Sequence, residues 1–346
     1  MRTQWPTIVA LSGCLAIFSS WISTTLSPRF QHHDEAVYNQ FAILKGIPHH
    51  IDGQEEEFSQ FQGRVLFPLL LDGVTRMHLM STSQSFTVLR LTTAFAAYLV
   101  FFLVCTEVQG VPIKIAVIGA GALAYALVFT FNHGWEHPTD FLDVAFFSGF
   151  VGLALRKRRA LLALAVFVAS LNHQTAAFAG VIWFFFWGVE RRFKPKWWEA
   201  VYSGALVTGS YAVSTAVKFW FGGRSQPAGY VINGYLTISQ FMDALRHPQP
   251  YAWPVLLLVM VLPVSLWLWS NRAVVRGDVS KLLWATLWIV VLSSPIAYWS
   301  ELRSVFLAPV VIATLAATIA ESRQATIAES RQAKSAGLPG LTEATS

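Results

Sequence analysis

The 346 residues predict an all-α integral membrane protein of about ten transmembrane helices, and three observations carry that expectation. The chain is 54% hydrophobic with a mean hydropathy of +0.49. Charged residues make up 13%, against about a quarter in an ordinary soluble domain. Apolar runs near the ~20 residues that a membrane span requires recur from one end of the chain to the other. The long polar stretches are 26–86, 222–252 and the tail, too little for a separate soluble domain. The net charge of +6 is therefore a matter of topology, and nucleic acid is not an expected partner.

In order, the apolar runs predict helices near 6–25, 87–107, 112–131, 140–155, 159–172, 176–189, 198–221, 253–271, 281–298 and 304–320. Met1–Trp5 followed by an apolar run resembles a signal peptide. The run is long for one and lacks a clear small-x-small cleavage site, so an uncleaved first span is expected. The runs at 159–172 and 176–189 are short and read as half-deep helices meeting at Asn172-His173-Gln174-Thr175. In the first loop, 26–86, the spacing of Ala36, Val37, Phe41, Ile43 and Leu44 predicts a helix over 35–44, stopped by Gly46-Ile47-Pro48. An acidic patch follows at Glu55–Glu57. Gly63–Leu71 is too short to span and predicts an interfacial helix. The second loop, 222–252, is rich in Gly, Pro and Ser and holds an amphipathic stretch at 238–245. Residues 1–320 thus form one polytopic membrane domain. The tail, 321–346, is expected to be cytoplasmic and disordered; the octad 317–324, repeated at 325–332, receives no function.

Lys114, Arg156–Arg159, Arg191, Arg192, Lys194, Lys196, Arg272, Arg276 and Lys281 gather in one set of turns, which the positive-inside rule assigns to the cytoplasm with both termini. All nine histidines (32, 33, 49, 50, 78, 133, 137, 173 and 247) fall on the opposite side. Chemistry is accordingly expected on the outer face. Cys14 and Cys105 lie in apolar runs and read as buried thiols.

Five polar groups stand out. Asp34 and Glu35 follow the first span and are preceded by His32 and His33. An acid there can simply cap a helix. It can also serve as a general base, or help His32 or His33 hold a divalent cation. Arg64 is either a snorkelling anchor or a bidentate clamp for a lipid phosphate. Asp140 can cap the helix it opens. Asp143 lies one turn deeper, where an ionisable group is a functional hypothesis by default, and Glu136 and His137 add ligands or proton carriers. Asn172–Thr175 reads as a turn with Thr175 capping the next helix. Glu301 and Arg303 form a tight outer turn and either neutralise each other or bind phosphate.

Taken together, Asp34, Tyr38, the Ala42-x-x-x-Gly46 step, Arg64 before an apolar segment with Pro68, Asp140, the 172–175 turn and Glu301-x-Arg303 resemble the GT-C class of membrane glycosyltransferases. That class takes sugars from polyprenyl-phosphate carriers, and the resemblance covers most of residues 6–310. It implies that Asp34 is the catalytic base, with Glu35 the less favoured neighbour, and that Arg64 and Arg303 bind the carrier phosphate. Tyr38, Glu136, His137, Asp140, His173 and Glu301 are implied to line the substrate site. Where such relatives often show Arg-Glu-Thr, this chain has His173-Gln174-Thr175. No Gly-rich nucleotide-phosphate loop is present, which argues against a soluble nucleotide-sugar donor.

The expected activity is sugar transfer from a polyprenyl-phosphate donor to an extracytoplasmic glycan or lipid acceptor at a bacterial inner membrane. The rival is a transporter or lipid-glycan flippase built around Asp143 and the broken middle helices, although the two halves show no convincing repeat. A non-catalytic relative is the third reading.

Overall fold

A computed structural model describes residues 4–26, 33–45, 49–51, 54–56, 64–130, 138–189, 196–221, 277–293, 309, 311 and 312. Helices dominate, as the composition predicts. They are α1 (Trp5–Leu26), α2 (His33–Lys45), α3 (Leu66–Arg76), α4 (Thr82–Leu103, prolonged by a π-helical turn over Val104–Val108) and α5 (Ile113–Thr130). There follow α6 (Pro138–Leu155), α7 (Arg159–Ser170), a 3-10 turn (Gln174–Ala177) leading into α8 (Phe178–Trp183), α9 (Trp197–Phe221) and α10 (Asp278–Ser293). Among the described residues one helix, Thr82–Val108, is long and apolar enough to cross a membrane by length and composition; four other apolar helices are shorter. The helices expected at 253–271 and over most of 304–320, and the amphipathic stretch 238–245, lie outside the described residues.

Three local signals refine the expected boundaries. The first is at the start of α4, five residues before the apolar run suggested, because Ser81 and Gln84 form a reciprocal capping box. Ser81 Oγ accepts from the Gln84 N–H at 3.3 Å, and Gln84 Oε1 accepts from the Ser81 N–H at 3.0 Å. The second is at α6, which opens on Pro138, whose fixed φ suits a first helical position. The third is a short antiparallel pair, β1 (His49–Ile51) with β2 (Gln54–Glu56), which sets His49 opposite Glu56 and His50 opposite Glu55. The Asp52-Gly53 dipeptide between these strands is a hairpin signal that helical periodicity passes over.

Two close approaches fix the register of the bundle. Gly149 lies beside Val100, and a Cβ on Gly152 would come within 2.8 Å of Val104 Cγ2, so α4 and α6 run parallel in tight contact. This register brings Arg90 level with Thr139. On the other flank, Arg159 pairs with Glu199 and Ser170 Oγ with Ser210 Oγ at 2.8 Å, both forty residues apart, so α7 and α9 are parallel too. The segment through α8 runs back antiparallel to α9: Trp183 Nε1 donates to Glu199 Oε2 at 2.9 Å, while Gly180 O accepts from Ser203 Oγ at 2.7 Å. Tyr98, Phe101, Phe102, Phe147, Phe150, Trp183 and Phe186 fill the core.

Polar side chains collect at the two ends of this bundle. At one end, here the capped end, α2 and α3 lie over the openings of α4 and α6. At the other, the basic end, sit Arg156–Arg159, Glu199 and the start of α10, where Lys281 Nζ donates to Phe186 O at 3.0 Å. Among the described residues, the basic turn Arg156–Arg159 and Lys281 lie at one end, and His78 and His173 at the other.

Candidate functional site

Among the described residues the capped end is sunken between its helix tips, here called the well, and its depth follows from the helix registers. Ser214 Oγ donates to Ser170 O at 3.2 Å, so the α7–α8 turn lies at about the level of Ser214. From there α9 continues to Phe221, seven residues and roughly 10 Å further. On the opposite side α4 begins at Thr82, eight residues and about 12 Å above Arg90, which is level with the first turn of α6. The opening of α6 and the α7–α8 turn therefore form a floor below the tips of α4 and α9.

Two helices of the first loop fill much of the well. Phe67 and Leu71 of α3 pack with Phe86, Val37, Phe41, Leu89 and Leu142, and the Phe67 and Phe86 rings meet edge to face at 5.6 Å. Ile43 of α2 packs with Val65, Leu171, Val213, Val217 and Phe221. The segment leading into α3 reaches the floor: the Val65 and Leu66 N–H groups both donate to Leu171 O, at 2.8 and 3.0 Å. Gly63–Leu71, expected as a helix on a membrane surface, is thus a docked helix shifted to Leu66–Arg76.

That docking carries Arg64 inward. The residue is 7% exposed, too buried for a snorkelling side chain that keeps its charge in water. Its Nη2 lies 2.8 Å from His173 Nε2 and its Nη1 lies 3.9 Å from Asp140 Oδ1. A guanidinium only donates, so His173 Nε2 must accept, and the ring of a neutral His173 carries its proton on Nδ1. From there the proton reaches Thr175 Oγ1 at 2.7 Å. The other tautomer would let Nδ1 accept from the Thr175 N–H at 3.1 Å, but would aim Nε2–H at the guanidinium. Arg64 thereby selects the tautomer. His173 occupies the N-cap position of the 3-10 turn, the place the sequence reading gave to Thr175, but in this tautomer its Nδ1–H donates to Thr175 Oγ1 and cannot accept the Thr175 N–H.

Asp140 lies inside the first turn of α6 and not at its cap, where the helix dipole favours a carboxylate. It is 4% exposed. One turn deeper, Asp143 Oδ1 accepts from Asn172 Nδ2 at 2.7 Å, and the same amide donates to Thr139 O at 2.9 Å. Asn172 is fully buried and its Oδ1 has no hydrogen-bond partner, nor has Thr139 Oγ1. The floor thus holds two unpartnered polar oxygens, Asn172 Oδ1 and Thr139 Oγ1, beside a buried carboxylate.

The structure brings together Arg64, Asp140 and His173 of the residues singled out from the sequence. Tyr38 stands on α2, 38% exposed. His33, Asp34 and Glu35 belong to the first turn of α2, which opens two residues earlier than periodicity indicated; only their backbone is described. Position 34 precedes Val37 by three residues and Phe41 by seven, on the helix that covers the well. His32, Glu136, His137, Glu301 and Arg303 lie outside the described residues. Among the described residues no group of three or more His, Cys, Asp or Glu side chains is placed to hold a metal ion.

Sequence reasoning missed one participant and one further buried charge. Asn172 was taken as part of a turn, yet it joins α6 to α7 through Asp143. Arg90 was absorbed into an apolar run; it is 5% exposed and donates from Nη2 to Ser20 O at 3.4 Å. Its signal was an arginine two turns inside an otherwise apolar helix, where an ionisable residue calls for a reason. No protein family, curated protein or solved structure matches this chain.

Proposed function

We propose that this chain is a multi-pass protein of a bacterial inner membrane that transfers a sugar from a polyprenyl-phosphate carrier to an extracytoplasmic glycan or lipid acceptor. The observation that carries the reading is the buried Arg64 on the floor of the well, held by a neutral imidazole and beside Asp140. A guanidinium fixed in a low-dielectric recess is suited to a phosphate or diphosphate, which it meets in a bidentate fashion. The membrane setting is supported by the exposed side chains between the two ends. Ile17, Phe18, Trp21, Ile118, Leu161, Leu164 and Phe167 are each more than half exposed and apolar. About ten crossings follow if the runs outside the described residues span as well.

In this reading Asp34, at the opening of α2, takes the proton of the acceptor hydroxyl as it attacks the anomeric carbon, and the carrier phosphate leaves towards Arg64 and Arg303. Glu35 is the less favoured base. Tyr38, Glu136, His137, Asp140, His173 and Glu301 line the site, and a divalent cation near His32, His33 and Asp34 belongs to the proposal as an option for the test. Thermal unfolding of the detergent-purified chain against a panel of polyprenyl-phosphate sugars, with and without divalent cations, tests it, because a ligand of the folded state raises the midpoint by mass action. The expected outcome is a carrier-dependent rise that Arg64→Ala removes. Asp34→Asn should bind the carrier and turn nothing over; an Asp34→Asn chain with full turnover ends the assignment.

Asp143 favours a second reading, a transporter or lipid-glycan flippase. A buried carboxylate bonded to Asn172, at the junction of two short helices joined by a 3-10 turn, resembles the broken helices that hold ions in transporters. A midpoint that answers to a small ion or solute, ignores every carrier, and loses its response in Asp143→Asn would select it.

A further inference from the structure

The basic end carries a feature that sugar transfer does not use. The α6–α7 turn reads Arg156-Lys157-Arg158-Arg159, and all four residues are exposed. It is closed by the Lys157 N–H donating to Ala154 O at 3.0 Å and the Arg158 N–H to Leu153 O at 2.9 Å, the paired bonds of a Schellman motif. Lys157 holds the left-handed position at φ 53°, where glycine is the unstrained choice. A lysine there accepts that backbone cost, while its cation complements the negative C-terminal end of α6.

Few local groups neutralise this turn. Arg159 and Lys157, each about half exposed, share the single buried carboxylate of Glu199, with Lys157 at 3.9 Å. Lys157 Nζ also stands 4.5 Å from the centre of the Trp187 ring. Arg156 donates to the Glu107 carbonyl at 3.1 Å. Among the described residues the Arg158 side chain makes no hydrogen bond or ion pair. Beside the turn, because Glu199 binds Arg159, α9 begins with Trp197 and Trp198, 72% and 77% exposed. An indole prefers the headgroup level of a bilayer, with its ring on the chains and its N–H in water.

From this we infer that the α6–α7 turn, with Trp197 and Trp198, is a docking surface for anionic phospholipid headgroups of the leaflet on the basic side. Arg156 and Arg158 supply the phosphate contacts, Lys157 and Arg159 raise the local potential, and the two indoles set the depth. The inference rests on the membrane reading above and is independent of sugar transfer. Cations near an anionic leaflet contribute about 1 kcal/mol each, so removing Arg156 and Arg158 should weaken the interaction roughly 30-fold.

The test uses the full chain purified in a neutral detergent and titrated with mixed micelles of phosphatidylglycerol or of phosphatidylcholine with the same acyl chains, followed by the unfolding midpoint. Phosphatidylglycerol should raise the midpoint and phosphatidylcholine should not. The half-effect concentration should rise roughly 30-fold in R156Q/R158Q, while R156K/R158K should stay near the parent. Neither arginine supports the core, so both variants are expected to fold. Equal responses to the two lipids, an unchanged titration in R156Q/R158Q, or the same shift with inorganic phosphate alone would overturn the inference. In a chain that needs detergent, these results leave the membrane reading standing. A chain recovered in the aqueous fraction without detergent would defeat both.

Discussion

The two polar ends of the bundle use similar residues in opposite surroundings. At the capped end the Arg64 and Asp140 side chains are 8% and 6% exposed, and Asp143 and Asn172 lie below them. At the basic end the partners of Glu199 are Arg159 and Lys157, 50% and 48% exposed. Water screens the second set and scarcely reaches the first, so removing a partner has different consequences at the two ends. A buried guanidinium at 3.9 Å from its carboxylate and bonded to a neutral ring is a poor device for stability. In the function proposed above it would hold a third, anionic group. The basic end, by contrast, fastens α7, α8 and α9 through one carboxylate and directs its remaining charge outward.

Substitutions at the two ends put that contrast at risk. The largest effect is expected for Arg64→Ala, which removes the buried guanidinium from beside Asp140 and His173 and should cost about 3–5 kcal/mol by equilibrium unfolding. A loss under about 1 kcal/mol would mean that water reaches the floor. Next comes Asn172→Leu, which takes the amide donor from the buried Asp143 and should cost roughly 2–3 kcal/mol in the same assay. Glu199→Gln keeps an acceptor for Trp183 Nε1 and loses only the attraction to half-exposed cations, so about 1 kcal/mol is expected, shrinking in high salt. A salt-independent loss as large as that of Arg64→Ala would erase the distinction between the ends. The smallest change is expected for Lys157→Gly. Relief of the left-handed backbone offsets the lost contacts with Trp187 and Glu199, and the midpoint should move by less than the equivalent of about 1 kcal/mol.

Much of the helical framework is legible in the sequence because its signal is periodic and long. The described helices at 5–26, 113–130, 138–155, 159–170 and 197–221 fall within a few residues of the runs that predict them. Boundaries set by single side chains were less legible: the Ser81–Gln84 capping box moves α4, and Pro138 moves α6. For the site, Arg64, Asp140 and His173 could be named, since each is a polar residue flanked by apolar runs. Their convergence could not, because it depends on the Val65 and Leu66 N–H groups docking on Leu171, a contact between residues more than a hundred positions apart. Arg90 stayed hidden because a hydropathy window tolerates one charge. Burial argues against one of the two roles that the sequence leaves open for Arg64, the snorkelling anchor, while the phosphate clamp belongs to the function proposed above.

The sunken floor also has an electrical consequence. If, as proposed above, the bundle spans a bilayer with the tips of α4 and α9 at its surface, a group roughly 10 Å below them lies in the region across which the membrane voltage falls. Moving one elementary charge through the whole of that field changes its energy by about 2.3 kcal/mol per 100 mV, and movement between the rim and the floor takes a share of it. Under the membrane reading proposed above, any step that brings an anion to Arg64, or a proton to Asp143, would be coupled to the voltage across the membrane. The same step at the tip of α9 would be nearly indifferent to it.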